Sequence, residues 1–400
     1  MNWEFSSIHP FPARMAPSIV LKRLPQEGKK LTILDPMAGS GTTLVTARAK
    51  GHRAIGFDTD PLAVLISNVW CLDIDEQIIT KKAVQVLKSA KIIFEQISEE
   101  NAYPSKSDDE TRRFINYWFD IRNRKQLFSL STAISRIRDF KQRLFLWCAF
   151  SRMIITKTKG VSLGIDISHS RPHRVHDISP VEPFARFCYE VQLIAKRSPF
   201  RNNRENMPLA QISQGDSRLL PLPDKSVDMV VTSPPYLNAI DYLRAHKLTL
   251  VWMGFTVDQI RMKRAENIGS EVSGNLRKTR DELEAISRMG SIECLPQREQ
   301  GRLTRYLCDM DQAISEIVRV VRKDGKVVIV IGDSTILDIY ISNSEAITYL
   351  ANKRGLTLVK REERELPQNK RYLPPPEIVK SGEKMQKRLR IEVILNFKKV

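Results

Sequence analysis

What this chain has too little of is acid. Against 64 lysines and arginines stand 46 aspartates and glutamates, for a formal charge of +18. A surface that basic attracts polyanions, and nucleic acid is the commonest of them. The five cysteines, Cys71, Cys148, Cys188, Cys294 and Cys308, lie far apart and form no CxxC pair. That argues against a structural zinc site of such spacing, and the odd, scattered count fits a reducing compartment. No apolar run approaches the ~18–20 residues that cross a bilayer. Met1 to Phe5 carries neither a basic n-region nor an apolar h-region. The expectation is therefore a cytoplasmic protein. No internal repeat or low-complexity segment is visible. What is present is 400 residues, 42% of them hydrophobic, enough for a large core.

Leu31 to Leu34 reads as a short buried strand ending at Asp35. Thr42 to Lys50 reads as a helix, stopped by Gly51 where a left-handed cap is needed. Arg53 to Phe57 is a second strand, ending at Asp58. Strand, glycine turn, helix and strand in so short a stretch predict a right-handed βαβ unit of a parallel sheet. From about Leu62 to Arg204 the texture changes. Apolar residues recur at helical spacing, as in Ala83, Val84, Val86 and Leu87 and again in Leu144 to Met153. A mostly helical insertion is expected there, with a polar break at Ser98 to Glu110. Sheet character returns at Ala210 to Gln214 and Val227 to Val231. Val257 to Gln300 is polar and basic, expected as loop and helix outside the sheet. Arg305 to Arg322 has helical periodicity, and Gly325 turns into the most hydrophobic strand, Lys326 to Ile331. Leu356 to Glu365 and Arg390 to Phe397 alternate more, as a terminal antiparallel hairpin does.

The chemistry concentrates in two short segments. In Asp35-Pro36-Met37-Ala38-Gly39-Ser40-Gly41-Thr42-Thr43, two glycines stand where the backbone turns sharply and a ligand comes close. The following helix aims free N–H groups at that ligand. The third glycine of a dinucleotide fingerprint is missing, and so is the lysine of a phosphate-binding P-loop, which disfavours an NTPase. Asp35, Asp58 and Asp216 each end a candidate strand, the edge where ligands bind in such sheets. Asp58 stands where a ribose hydroxyl pair would be gripped. Asp35 suits a cationic ligand, and Asp216 an adenine amine. Each is also an ordinary residue for a helix cap.

The second segment is Thr232-Ser233-Pro234-Pro235-Tyr236. Two prolines fix φ at about −65° and remove two N–H donors. The carbonyls before and between them are held outward as acceptors, beside the Ser233 hydroxyl and the Tyr236 ring. That set suits a flat ring carrying an exocyclic NH₂: acceptors take its protons and the aromatic face stacks on it.

With these residues the chain resembles the class I S-adenosylmethionine-dependent methyltransferases, and more narrowly the DNA amino-methyltransferases that modify cytosine N4 or adenine N6. Asp35 to Thr43 matches their cofactor signature, and Phe57-Asp58-Thr59-Asp60-Pro61 their ribose-binding strand end. His9-Pro10-Phe11-Pro12-Ala13-Arg14-Met15 resembles the segment that closes over the methionine part of the cofactor. The resemblance implies a Rossmann-like seven-stranded class I methyltransferase sheet with a terminal antiparallel hairpin and a helical insertion. It divides the chain into a cofactor part (1–70), a helical insertion as candidate DNA-recognition region (71–204) and a base-binding part (205–400). It implies S-adenosyl-L-methionine as cofactor, held by His9, Phe11, Asp35, Pro36, Ala38, Gly39, Gly41, Thr42, Thr43, Asp58 and Asp216. Ser233, Pro234, Pro235 and Tyr236 are the implied catalytic set, with duplex DNA, its target base flipped, as substrate and a restriction endonuclease as a candidate partner.

The Ser form of the Pro-Pro-Tyr motif resembles cytosine-N4 enzymes most, and Asp is usual in adenine-N6 enzymes. Adenine N6, an RNA amine and a non-catalytic DNA-binding relative are the alternatives. Carbon-5 methylation is disfavoured, because it needs a Pro-Cys nucleophile and no cysteine here follows a proline. Asn238 and Tyr242 are candidates to border the base pocket, and His246 is expected to be a structural helix residue. Asn369 to Pro374 is a basic loop suited to a phosphate. His169, His173 and His176 lie close together, but Pro172 breaks the regular face a metal needs; Arg171 and Arg174 fit phosphates better. Trp118 and Trp147 are expected in the core.

Overall fold

Seven strands carry the molecule: β1 (Thr32–Asp35), β2 (Arg53–Asp58), β3 (Gln211–Gln214), β4 (Val227–Thr232), β5 (Val321–Ile331), β6 (Leu356–Glu365) and β7 (Ile391–Lys399). They lie side by side in the order β3-β2-β1-β4-β5-β7-β6. The first five run parallel, and β7 is antiparallel to both of its neighbours. The sheet is thus a doubly wound, Rossmann-like one closed by an antiparallel hairpin. Its strand order reverses between β1 and β4, which is where such sheets open a crevice at their carboxyl edge. The structure is a computed structural model, and it describes residues 5–11, 14–25, 29–169, 172–201, 207–237, 242–269, 279–366 and 391–400.

The central strands β1, β4 and β5 are hydrophobic on both faces because helices cover both, whereas the edge strands β3 and β6 are polar and largely exposed. Along β5, Val328 and Val330 point into one core while Val327, Ile329 and Ile331 point into the other, as the period of two requires. The first face is covered by α1 (Pro17–Leu21), α2 (Thr42–Ala49) and α3 (Pro61–Trp70). The insertion follows as α4 (Glu76–Gln96), α5 (Asp109–Trp118), α6 (Ile121–Ser135), α7 (Phe140–Ile154) and α8 (Pro183–Arg197). Next come α9 (Tyr242–Leu250) and α10 (Val257–Ala265). The second face is covered by α11 (Arg280–Ser287), α12 (Gln297–Val320) and α13 (Asn343–Lys353).

Aspartates start four of the five insertion helices, α4 to α7. The side chains of Asp75, Asp108, Asp120 and Asp139 each accept a hydrogen bond from a first-turn N–H of α4, α5, α6 and α7, at about 1 kcal/mol apiece. The insertion leaves after α3 and returns beside its own start, where Ile74 bridges Arg201. Arg48 of α2 locks that junction. Its guanidinium is fully buried, pairs with Asp73, donates to the carbonyls of Cys71 and Pro208, and lies 4.0 Å over the Phe200 ring. The apolar core is continuous from α2 and α3 into α7 and α8.

The βαβ unit, the helical insertion and the terminal hairpin stand where periodicity put them. Two segments differ. The helix expected from Arg305 begins at Gln297, and β5 begins at Val321 rather than Lys326. Asp324 has φ 61°, and the pairing with β4 shifts register between Val227 and Met229, so the first half of β5 lacks a clean alternation. Two short hairpins, Gly164–Ile165 with His173–Arg174 and Ser334–Ile336 with Ile339–Ile341, gave no signal at all, being two or three residues a side. Among the described residues no helix is long and apolar enough to cross a membrane.

Candidate active site

The glycine loop is held by backbone. Gly39 and Gly41 have φ 50° and 88°, and Gly41 is the N-cap of α2. A Cβ at Gly41 would lie 2.7 Å from Cβ of Ser67 on α3, so no other residue fits there. The Ala38 N–H donates to the Phe57 carbonyl at 2.8 Å, and the Gly39 N–H to Asp58 Oδ2 at 2.8 Å. The loop therefore rests on the end of β2.

Asp35 joins this loop to the second motif. Its buried carboxylate accepts from the Thr232 hydroxyl at 2.8 Å and from the Met37 N–H at 3.2 Å. Thr43 of α2 donates to the Val231 carbonyl at 3.1 Å. Burial pushes the Asp35 carboxyl up to about 6, against the pull of the hydrogen bonds from Thr232 and Met37. Leu34 is paired with Val230 across β1 and β4, so both motifs leave the sheet at the same edge. Gly39 and Pro235 follow the bonded pair Asp35 and Thr232 by four and three residues.

Asp58 accepts from the Gly39 and Asp60 N–H groups. Burial first, then the neighbouring Asp60 and Asp35 charges, push its carboxyl up to about 7, although two backbone hydrogen bonds oppose this. Asp60 caps α3 through the Leu62 N–H at 2.8 Å and pairs with His246 Nδ1 on α9. His246 is fully buried and structural, as expected. Its partner, Asp60, is a second tie between the two halves.

The N-terminal segment divides its duties. Phe11 lies against the glycine loop, 3.6 Å from where a Gly39 Cβ would stand, and stacks on Tyr242 at 5.3 Å. His9 points the other way: its Nε2 lies 3.1 Å from Ser151 Oγ on α7. Burial, then the His246, Arg152 and Arg14 charges, hold His9 well below the usual histidine range, so it is neutral. Arg152 and Arg197 grip the Ile8 and Ser7 carbonyls at 2.9 and 3.1 Å. The insertion thus holds the segment that leads to Phe11.

Asp216 follows β3 but is occupied by Arg218, which contacts both carboxylate oxygens and also pairs with Asp309 at 2.6 Å. Burial opposes its ionisation, and the Arg218 hydrogen bonds and charge outweigh that and hold it below the usual range.

In the second motif Pro234 is buried, and Ser233, Pro235 and Tyr236 are partly exposed. The Tyr236 ring lies over Gly332, where a Cβ would come within 3.3 Å of it. Sequence reasoning missed Thr232, Asp60 and Gly332 as supports. Thr232 and Asp60 stand inside the segments Thr232 to Tyr236 and Phe57 to Pro61 but had no role assigned, and Gly332 directly follows β5.

Asn238 and Asp241, Pro12 and Ala13, and the basic loop Asn369 to Pro374 lie outside the described residues, as do Arg171 and the His169 side chain. His173 Nδ1 is 4.0 Å from Asp166, and among the described residues no cluster of metal-ligating side chains exists. Arg174 lies 5.2 Å over the Tyr117 ring. Trp147 is buried in the core, and Trp118 packs half-buried against Phe114 and Tyr117.

Sheet order, glycine loop and strand-end acids together define a Rossmann-like α/β sheet with a ligand-binding carboxyl edge. No family model matches the chain. It is 24% identical over 374 residues to the Type II methyltransferase M.MvaI of Kocuria varians, covering 86% of this chain and 80% of that protein. It is 26% identical over 289 residues to the Type II methyltransferase M.BsoBI of Geobacillus stearothermophilus, covering 66% of this chain and 56% of that one. A SAM-dependent methyltransferase structure from Methanosarcina mazei aligns over 96% of this chain and 97% of its own, at 8% identity and a TM-score of 0.33.

Proposed function

We propose that this chain transfers a methyl group from S-adenosylmethionine to an exocyclic amine in duplex DNA, with cytosine N4 as the acceptor. One observation carries the reading: the Asp35–Thr232 bond sets a cofactor-type glycine loop beside a Ser-Pro-Pro-Tyr turn at one sheet edge. The likeness to the Type II methyltransferases M.MvaI and M.BsoBI supports methyl transfer, and a cognate restriction endonuclease is proposed as a partner alongside it.

The residues suit the cofactor. Gly39 and Gly41 let the backbone come close, and α2 presents its N-terminus with Thr42 and Thr43. Each Asp58 oxygen accepts one backbone N–H, which leaves acceptor capacity for a ribose diol. Asp35 offers negative charge to a sulfonium. Asp216 is the weakest member, since Arg218 competes for its lone pairs.

When bound, the cofactor supplies an activated methyl group and a neutral leaving group. The chain's own contribution is placement. An exocyclic amine conjugated to its ring is a poor nucleophile. The Ser233 and Pro234 carbonyls and the Ser233 hydroxyl are placed to accept hydrogen bonds from its N–H groups, which turns the nitrogen toward tetrahedral geometry and exposes its lone pair, while Tyr236 stacks on the ring. The target base leaves the helix stack at roughly a few kcal/mol. The +18 charge offsets this through phosphate contacts, so binding weakens steeply with salt. The insertion, 71–204, the stretch 257–300, or both are the proposed readers of the target sequence.

The test is nucleoside analysis of DNA from a methylation-free host expressing the protein. N4-methylcytosine is the expected product. N6-methyladenine in its place would move the acceptor to adenine, and preference for RNA over duplex DNA in competition would move the substrate. Absence of any methylated base overturns the reading.

A further inference from the structure

Tyr236 is gripped at its far end by a residue that neither motif contains. Its hydroxyl donates to Glu392 Oε1 at 3.2 Å. Glu392 is 5% exposed, and its other oxygen pairs with Arg364 Nη1 at 2.9 Å. The register explains the meeting. Arg364 stands directly opposite Glu392 across β6 and β7, and the neighbouring Val393 stands opposite Ile331 of β5. Glu392 is therefore level with Gly332, the residue under the Tyr236 ring. The side chain starts at the end of β4, crosses β5 where glycine leaves room, and ends on β7.

A carboxylate this deeply buried is expensive unless paired. Arg364 pairs one oxygen, and the phenol hydroxyl satisfies the other. A ring attached only at Cβ pivots about two torsions, whereas a ring also tied at its hydroxyl has a set plane and position. A stacking platform gains most from that, because the acceptor carbonyls before it are already rigid.

Building on the proposed function, we infer that Glu392 is a positioning residue, whose Arg364-paired carboxylate holds the Tyr236 hydroxyl so that the ring lies flat over Gly332 and faces the target base. It touches no reacting atom and acts through Tyr236.

Two measurements on the full-length protein test this. The first is the Cζ resonance of Tyr236 in protein with isotope-labelled tyrosine, assigned by difference from Tyr236→Phe. It shifts in Glu392→Ala and shifts less in Glu392→Gln, which keeps an acceptor. An unmoved resonance in Glu392→Ala overturns the contact. The second is a double-mutant cycle on kcat. Glu392→Ala lowers kcat about tenfold, the scale of one hydrogen bond to a charged group, with cofactor Kd unchanged. In the Tyr236→Phe background the same substitution changes kcat by less than about twofold. Full additivity of the two defects overturns the positioning role. If Glu392→Ala does not fold because Arg364 loses its partner, Glu392→Leu combined with Arg364→Leu, which removes the acceptor and both charges together, replaces it in the cycle. If the unaltered protein transfers no methyl group to DNA, the proposed function fails, while the resonance still decides the contact.

Discussion

The Asp35 carboxylate and the Thr232 hydroxyl meet at 2.8 Å although 197 positions separate them in the chain. Asp35 opens the glycine loop and Thr232 opens the Ser-Pro-Pro-Tyr turn, so this one bond aligns the two motifs. Thr232→Val keeps the volume and removes the hydroxyl, leaving Asp35 buried with one donor fewer. Unfolding in urea is expected to show a loss of about 1–3 kcal/mol. Thr232→Ser is expected to retain most of that stability. A valine variant as stable as the unaltered protein would show that the bond contributes nothing.

Stability is expected to depend on pH through Asp35 and Asp58. Their carboxyls lie at about 6 and about 7, above the ordinary 3.8. Between pH 4 and pH 7 the folded chain thus binds more protons at these sites than the unfolded chain. Their contribution is fully present at low pH and falls as pH rises through 6 and 7. Melting temperature measured from pH 8 down to pH 5 is expected to rise more in the unaltered protein than in Asp58→Asn, which removes one titrating group. Cofactor affinity runs the opposite way, because a sulfonium favours ionised carboxylates. Parallel pH profiles for the two proteins would remove Asp58 from this account.

Ser233→Ala and Tyr236→Ala are expected to lower turnover at least about tenfold and leave cofactor Kd within about twofold, since their groups act on the base. Asp58→Ala is expected to weaken cofactor binding first. Calorimetry with the cofactor and methyl-transfer kinetics separate the two effects. Equal loss of both properties in all three variants contradicts the division of labour.

Gly41→Ala places a methyl group 2.7 Å from Ser67 Cβ at a residue with φ 88°. Both the strain and the contact oppose it, so a loss of roughly 1–3 kcal/mol in stability is expected, together with weakened cofactor binding. Gly51→Ala serves as a comparison. It shares the left-handed backbone, φ 78°, but has open space around it, so it carries the backbone strain alone. Equal losses in the two variants would mean that the packing of α2 on α3 adds nothing.

Much of this molecule was legible before its structure. The βαβ unit declared itself because a strand of four residues, a glycine turn and a capped helix are decided by neighbours in sequence. The insertion helices followed from their period, while their aspartate caps emerged only in the structure. His246 was rightly expected to be structural. Where local signals were short or conflicting, the reading slipped, as in the irregular first half of β5 and in the hairpin turning at Leu337 and Asp338, both with positive φ.

The sequence by itself determined the elements, their period and the two motifs, because torsional preference and the burial of apolar faces act over a few residues. Only the tertiary structure decided what those motifs lean on: Thr232 against Asp35, Asp60 against His246, Tyr236 over Gly332 to Glu392. Such pairings depend on which strand lies beside which and in what register. Strand order and register come from the packing of the whole sheet, and no local stretch of residues encodes them.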